Sequence, residues 1–87
     1  MFTKYVRKTS AAVIIGGEGV LVGMRVNTTS SGTMKIYDDA SGANGTVIFN
    51  TFTPAVGYHD LGSVHCTIGA YADITNLDAT FFVLAEK

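Results

Sequence analysis

Glycine residues divide this sequence into short runs that are rich in Val, Ile, Thr, Phe and Tyr. Ten glycines and a single proline punctuate its 87 residues, and β-branched and aromatic runs bounded in this way are typical of strands. No segment places apolar residues at the 3.6-residue spacing of an amphipathic helix. The pattern therefore favours a fold built from strands alone.

The stretch 19–27 shows the strand pattern most clearly. Side chains alternate between the two faces of an extended chain, so Val20, Val22, Met24 and Val26 are expected to share one face. Further strands are predicted at residues 11–15, 33–38, 46–52, 58–61, 64–70 and 79–85. Six to eight short strands at this spacing predict an antiparallel β-sandwich or a jelly-roll-like barrel.

Residues 11–87 are expected to form this single domain, and residues 1–10 are expected to be an N-terminal arm. The arm interleaves Phe2 and Tyr5 with Lys4, Arg7 and Lys8. Two interpretations stay open: the arm docks onto an acidic neighbouring subunit, or it is a solvated chain terminus.

Charged residues make up only 15% of the chain, against about 25% in typical soluble domains. The net charge of −1 leaves no basic excess to neutralise the phosphates of DNA or RNA. The apolar runs are much shorter than the roughly 20 residues that span a bilayer. We therefore expect neither a nucleic-acid partner nor a membrane segment. A mean hydropathy of +0.30 predicts exposed apolar contact area and hence self-association.

His59, Asp60, Ser63, His65 and Cys66 form the densest group of residue types that carry catalysis. Nucleophilic catalysis needs a nucleophile, a base and an orienting group within about 3 Å of one another. Adjacent residues of a strand point to opposite faces, so these side chains are not expected to converge. Two histidines alone make a weak zinc site, and a lone free cysteine is usually a buried hydrophobe. We predict no enzyme activity, no catalytic residue and no cofactor.

The segment "DDASGANG", residues 38–45, combines Asp38, Asp39 and Asn44 with two glycines. Such oxygen ligands suit calcium, but their spacing does not fit an EF-hand loop. Asp and Asn side chains also accept backbone hydrogen bonds in turns, and Asn-Gly is a frequent hairpin dipeptide. The sequence therefore favours a turn between two antiparallel strands over a metal site.

The four tyrosines, Tyr5, Tyr37, Tyr58 and Tyr71, are candidates for a platform on which a sugar ring stacks. Nothing in the strand pattern places them on one face, and tryptophan is absent. Tyrosines that lie half-buried at sheet margins, with the hydroxyl group in water, are commoner. Glycan binding is therefore the less favoured interpretation.

Residues 31–62 resemble a pattern found in small β-sandwich proteins of tailed bacteriophages and prophages. The pattern is a strand ending in "KIYD", a turn of Ser, Ala and Gly, a strand "GTVIF", a proline-containing loop, and an aromatic residue before "DLG". Here these parts are residues 35–38, 45–49, Pro54 and residues 58–62.

The resemblance implies a structural component of the virion, in particular a capsid cement or decoration protein. Such proteins often assemble as trimers on the shell, so the implied partners are the major capsid protein and further copies of this chain. The leading hypothesis is a decoration protein that binds and stabilises the outer capsid surface. The alternative is a receptor- or carbohydrate-binding module of a phage head or tail fibre.

Overall fold

The computed structural model describes residues 4–85. Within this range the chain forms six strands, all paired antiparallel, and no helix. They are β1 (Lys4–Lys8), β2 (Ala12–Ile15), β3 (Gly19–Asp38), β4 (Thr46–Phe52), β5 (Gly57–Cys66) and β6 (Ala70–Ala85). The prediction of an antiparallel all-β fold is confirmed.

Strands β3 and β6 are the centre of the fold, because they pair with each other along almost their whole length. Their register runs from Gly19 opposite Ala85 to Tyr37 opposite Tyr71. Strand β5 pairs with the first part of β3, and β4 pairs with its last part. Strand β1 pairs with the last part of β6, and β2 pairs with its first part. The first layer therefore has the order β1-β6-β3-β5, and the second has the order β2-β6-β3-β4.

This order is that of a jelly roll, in which two four-stranded antiparallel layers enclose one core. Over the described residues the sheet is not closed into a barrel. The inward side chains of both layers form a single buried cluster, and the shortest dimension of the molecule is 18 Å. The buried apolar residues are Ile14, Ile15, Leu21, Met24, Val26, Met34, Ile36, Leu61, Cys66, Ala70, Ala72, Ile74, Leu77, Ala79, Phe81 and Val83.

A bend in β3 and β6 carries both strands from one layer into the other. Ser31 of β3 and Asn76 of β6 lie in this bend and have positive φ angles of 52° and 59°. The register between β3 and β6 shifts between Thr29 and Thr33. Gly32 allows the two backbones to approach, because a Cβ there would lie 2.6 Å from the carbonyl oxygens of residues 75 and 76. The sequence "TTSSG" is therefore a bend within one strand and not a loop between two.

Several predicted strands are parts of longer ones. The stretches 19–27 and 33–38 are both in β3, and residues 58–61 and 64–66 are both in β5. The predicted strand 64–70 is broken after Cys66, and the final strand begins at Ala70 instead of residue 79. Two of the six strands, with 20 and 16 residues, are thus long and not short.

The prediction of one shared face for Val20, Val22, Met24 and Val26 is wrong. Met24 and Val26 are buried, but Val20 and Val22 lie on the outer side and are only half-buried. A bulge causes the change. Leu21 pairs with Val83 and Gly23 pairs with Phe82, so two residues of β3 are passed where β6 passes only one. An extra residue in one strand shifts the alternation that follows it.

Residues 4–8 of the predicted N-terminal arm belong to the sheet. They form β1, which pairs with β6 from Lys4 opposite Val83 to Lys8 opposite Ala79. The Arg7 guanidinium donates two hydrogen bonds to the Asp78 carboxylate of the same chain, which fixes the strand to the edge of the first layer. Phe2, the other aromatic residue of the predicted arm, lies outside the described residues.

Each outer strand carries a feature that disfavours pairing with another chain. Strand β1 carries Lys4, Arg7 and Lys8, and β2 has only four residues and a register shift. Strand β4 contains two register shifts against β3. Strand β5 contains Gly62 and Ser63 at positive φ, beside its own shift. Charges, short length and bulges protect sheet edges, so the free surfaces for association are the outer faces.

Candidate functional site

The acidic segment at the end of β3 is held by hydrogen bonds within the chain. Asp38 accepts hydrogen bonds from the Ile68 and Gly69 backbone N–H groups at 2.9 and 3.1 Å and from the Thr67 hydroxyl at 2.9 Å. Burial by itself would raise the pKa of Asp38, but these hydrogen bonds together hold it below its ordinary value. Asp38 therefore ties the β3 end to the loop between β5 and β6.

Asp39 organises the turn that follows. Its Oδ1 accepts hydrogen bonds from the Ser41 and Gly42 backbone N–H groups at 2.7 and 3.1 Å. These bonds, led by the one from Ser41, lower the pKa of Asp39. The segment lies between the paired strands β3 and β4, as the turn interpretation expects. Among residues 4–85, no group of three or more His, Cys, Asp or Glu side chains is placed to hold a metal ion.

The candidate catalytic residues have separate partners. His59 Nε2 donates a hydrogen bond to the Ala55 carbonyl oxygen at 2.7 Å, and His65 Nε2 lies 2.8 Å from a Glu18 carboxylate oxygen. Asp60 accepts a hydrogen bond from the Gly62 N–H at 2.8 Å. Burial raises the pKa of the Cys66 thiol to about 11, so the thiolate that acts as a nucleophile is scarce at neutral pH. The described contacts bring no nucleophile and base together.

An open depression of about 380 Å³ lies at the bend between the layers. Its one titratable side chain is Asp78, which is already engaged by Arg7 and by Asn27 Nδ2 at 3.2 Å. Hydroxyl and amide groups supply the other polar side chains of the lining. The lining residues include no histidine or lysine that could take a proton from a hydroxyl group. The lining residues are Thr9, Thr28, Thr29, Ser30, Asn76, Leu77 and Asp78.

The outer face of the first layer carries an aromatic row, which we define as Tyr5, Phe82 and Tyr58. Tyr5 lies directly opposite Phe82 across β1 and β6, and paired residues of antiparallel strands share a face. The Tyr58 ring reaches over β3 from β5, with its centroid 6.1 Å from that of Phe82. Tyr5 and Tyr58 are 68% and 55% exposed, so the row presents ring surface to solvent.

Gly23 lets the Tyr58 ring lie across β3. A Cβ at this position would overlap the Tyr58 hydroxyl oxygen and would lie 2.7 Å from the ring carbon that carries it. Arg25, two residues further along β3, pairs in register with Tyr58 on one side and with Thr80 on the other. The bulge between Leu21 and Gly23 thus places a glycine under the ring and an arginine beside it.

The outer face of the second layer carries an apolar row, which we define as Val13, Tyr71, Tyr37 and Val47. These residues are directly opposite one another across β2, β6, β3 and β4. The two tyrosine rings are 6.4 Å apart and tilted by 56°. The Lys35 ammonium lies 5.3 Å from the Tyr37 ring centroid, within the range of a cation–π contact.

The structure groups the four tyrosines in two pairs on opposite outer faces. Sequence periodicity did not reveal these pairs, since a row across four strands depends on which strands are neighbours. The available signal is local. Tyr71 lies between two buried residues, Ala70 and Ala72, and Tyr37 follows the buried residue Ile36, so alternation assigns both tyrosines outward once the strands are recognised.

Comparison with protein-family models, with curated proteins and with solved structures finds no match. Within residues 4–85 there is no helix of the length and apolarity needed to cross a membrane. The basis for a functional assignment is therefore the fold, the two rows and the turn residues.

Proposed function

We propose that this chain is a structural protein of a tailed-phage virion, namely a capsid decoration protein that binds the outer surface of the shell. Its partners in this proposal are the major capsid protein and further copies of the chain, with a trimer as the assembly. The observation that carries the proposal is the apolar row, a continuous uncharged strip across all four strands of the second layer.

The composition of the apolar row supports contact with a folded protein. The cores of protein interfaces are depleted in charged residues and enriched in aromatic ones. The row contains two tyrosines, and Val47 is 37% exposed. Because the sheet edges are protected, this contact would be made face to face and not by strand pairing.

The size of the face also supports the proposal. The two longer dimensions of the molecule are 33 and 28 Å, and a standard stable interface covers about 800 Å² on each partner. One outer face is therefore large enough for one such interface. Repetition over a shell lattice would add avidity to a contact of modest affinity.

The resemblance of residues 31–62 to phage β-sandwich proteins is a further support. The structure gives those residues structural roles, since they comprise the last part of β3, the Asp39 turn, β4 and the first part of β5. A protein of this kind acts by adhesion. This agrees with the observation that His59, His65 and Asp60 each have a different partner and do not form a catalytic group.

Mass spectrometry and electron microscopy of purified virions of the encoding phage test the proposal. We expect many copies of the chain on the shell and loss of those copies in the variant Tyr37→Ala/Tyr71→Ala. The variant Ile68→Ala, which changes an exposed apolar residue outside the row, is the matched control. Virions that contain no copies would overturn the proposal.

A different observation favours the alternative, a receptor- or carbohydrate-binding module. The aromatic row lies on the other outer face, where it is exposed to solvent. Decoration and carbohydrate binding would thus use opposite sides of the molecule, so one chain can perform both functions.

A further inference from the structure

We infer that the outer face of the first layer binds an acidic polysaccharide, with sugar rings stacked on the aromatic row and a sugar carboxylate held by Arg25. This binding goes beyond attachment to a shell and does not depend on it, because the two contacts use opposite faces.

Two rings of the aromatic row, those of Tyr58 and Phe82, are held in place by their surroundings. Phe82 is half-buried between Tyr5 and Tyr58, and the Tyr58 ring lies against Phe82 and over Gly23. A ring that is positioned before binding loses little conformational freedom on binding. The apolar C–H face of a pyranose can therefore stack on these rings at a small entropic cost.

The length of the row fits a short stretch of polysaccharide. The row runs from β1 across β6 and β3, and neighbouring strands are about 4.8 Å apart, so it spans roughly 10 to 14 Å, or two to three pyranose units of roughly 5 Å each. Sugars of one short stretch can thus stack on the two exposed rings, Tyr5 and Tyr58.

The surroundings of the row favour a sugar over a peptide. Peptides bind by adding a strand to a sheet edge, by laying a helix in a groove, or by docking a proline-rich segment in an aromatic-lined groove. The four outer strands carry charges, bulges or short lengths that disfavour strand addition. The depression described above lies at the bend, and none of its lining residues belongs to the row. An aromatic face without a groove suits a ring-shaped ligand.

One arginine of this face, Arg25, is placed to hold an acidic group of a ligand. Of the two arginines on this face, Arg7 is engaged by Asp78, whereas Arg25 has no carboxylate within ion-pair distance among the described residues. Arg25 lies beside Tyr58 and Thr80, so a carboxylate on a stacked sugar can reach its guanidinium. Asp60 lies opposite Gly23 on the same face, so the face suits a ligand with one carboxylate near Arg25 better than a nucleic acid, whose every unit carries a phosphate.

A printed array of neutral, sialylated and uronate-containing glycans tests the inference with the full-length chain. We expect signal on carboxylate-bearing glycans and none on their neutral counterparts. Titration calorimetry with the best carboxylated glycan then gives a dissociation constant for each variant. We expect Tyr58→Ala and Arg25→Ala each to weaken binding about tenfold or more, since stacking and charge-assisted hydrogen bonds are of that size.

Two variants serve as matched controls. Ile68→Ala removes an exposed apolar side chain, and Lys35→Ala removes a cation from the second layer, and both are expected to bind the glycan as the parent protein does. Arg25→Lys, which keeps the charge but loses the planar donor pair, is expected to be intermediate.

Three results would overturn the inference. They are an array without signal on acidic glycans, equal binding of neutral glycans, and tighter binding of a poly-glutamate peptide or oligothymidylate than of any glycan. The melting temperature of each variant shows whether a loss of glycan binding reflects unfolding. The substituted side chains all lie outside the buried core, so we expect every variant to fold. Since the shell test uses Tyr37 and Tyr71, either proposal can fail while the other stands.

Discussion

At the scale of single residues, Asp38 shows how a group that looks like a metal ligand has a structural role. Its two carboxylate oxygens accept three hydrogen bonds from residues 67–69. Those residues connect β5 to β6, so one side chain joins the end of β3 to the segment that enters the second layer. Both carboxylate oxygens of Asp38 therefore have hydrogen-bond donors within the protein.

The variant Asp38→Ala tests this role. We expect it to lower the free energy of unfolding by about 1 to 2 kcal/mol, because it leaves the Ile68 and Gly69 N–H groups without their acceptor. Asp38→Asn keeps one acceptor oxygen and should cost less. Urea unfolding measures both, with Asp73→Ala, an exposed aspartate of β6, as the control. Equal stability of Asp38→Ala and the parent protein would contradict the assigned role.

At the scale of elements, the bend is the feature that turns two long strands into two layers. It depends on close contact between the backbones at Gly32 and residues 75–76. Both strands continue through it, and the paired register resumes at Thr33 opposite Thr75. A side chain in this contact would push the strands apart.

Gly32→Ala is therefore expected to destabilise the fold by about 2 to 3 kcal/mol, as overpacking of an interior does. Gly16→Ala is the matched control, because a Cβ there meets no atom within 4 Å, and its stability should be close to that of the parent. Thermal unfolding followed by circular dichroism compares the two. A Gly32→Ala variant as stable as Gly16→Ala would show that the bend tolerates a side chain.

The elements also show what the sequence could and could not predict. Strand β4 has the predicted bounds, 46–52, because alternation and flanking turn residues specify it locally. The sequence predicts two strands, 19–27 and 33–38, where the structure has the single strand β3. The reason is that "TTSSG" between them has the composition of a turn. The bulge at Val22 reversed the predicted faces, and bulges depend on the partner strand. The aromatic row requires the four strands β1, β6, β3 and β5 to be neighbours in this order, which no local pattern encodes.

At the scale of the whole molecule, carboxylates in different parts of the sheet respond to acid in the same direction. The Arg7 hydrogen bond, followed by the one from Asn27, lowers the pKa of Asp78, and the pKa values of Asp38 and Asp39 are lowered by their turn hydrogen bonds. A group whose pKa is lower in the folded state than in the unfolded state stabilises the fold above its unfolded pKa. That stability is lost as the pH falls through the folded value.

The melting temperature is therefore expected to change little from pH 7 to 5 and to fall below about pH 4, where unfolded aspartates bind protons. Scanning calorimetry across this range measures the effect. The double variant Asp38→Asn/Asp78→Asn should be less stable at neutral pH and should show a shallower fall in acid. A melting temperature of the parent that stays constant down to pH 2.5 would contradict the linkage.

Light scattering tests the proposed assembly at the same scale. We expect a mass near three times the 9.2 kDa of one chain, because the low charge and the positive mean hydropathy of the chain favour association. A monomer at all concentrations would contradict the trimer.

The continuity of β3 and β6 has a mechanical consequence. Each of these strands belongs to both layers, so tension applied to one outer face passes to the other through peptide bonds as well as through packed side chains. One layer cannot separate from the other while the other stays folded, because β3 and β6 run through both layers. Anything anchored on one side of the molecule is thereby tethered to whatever is anchored on the other.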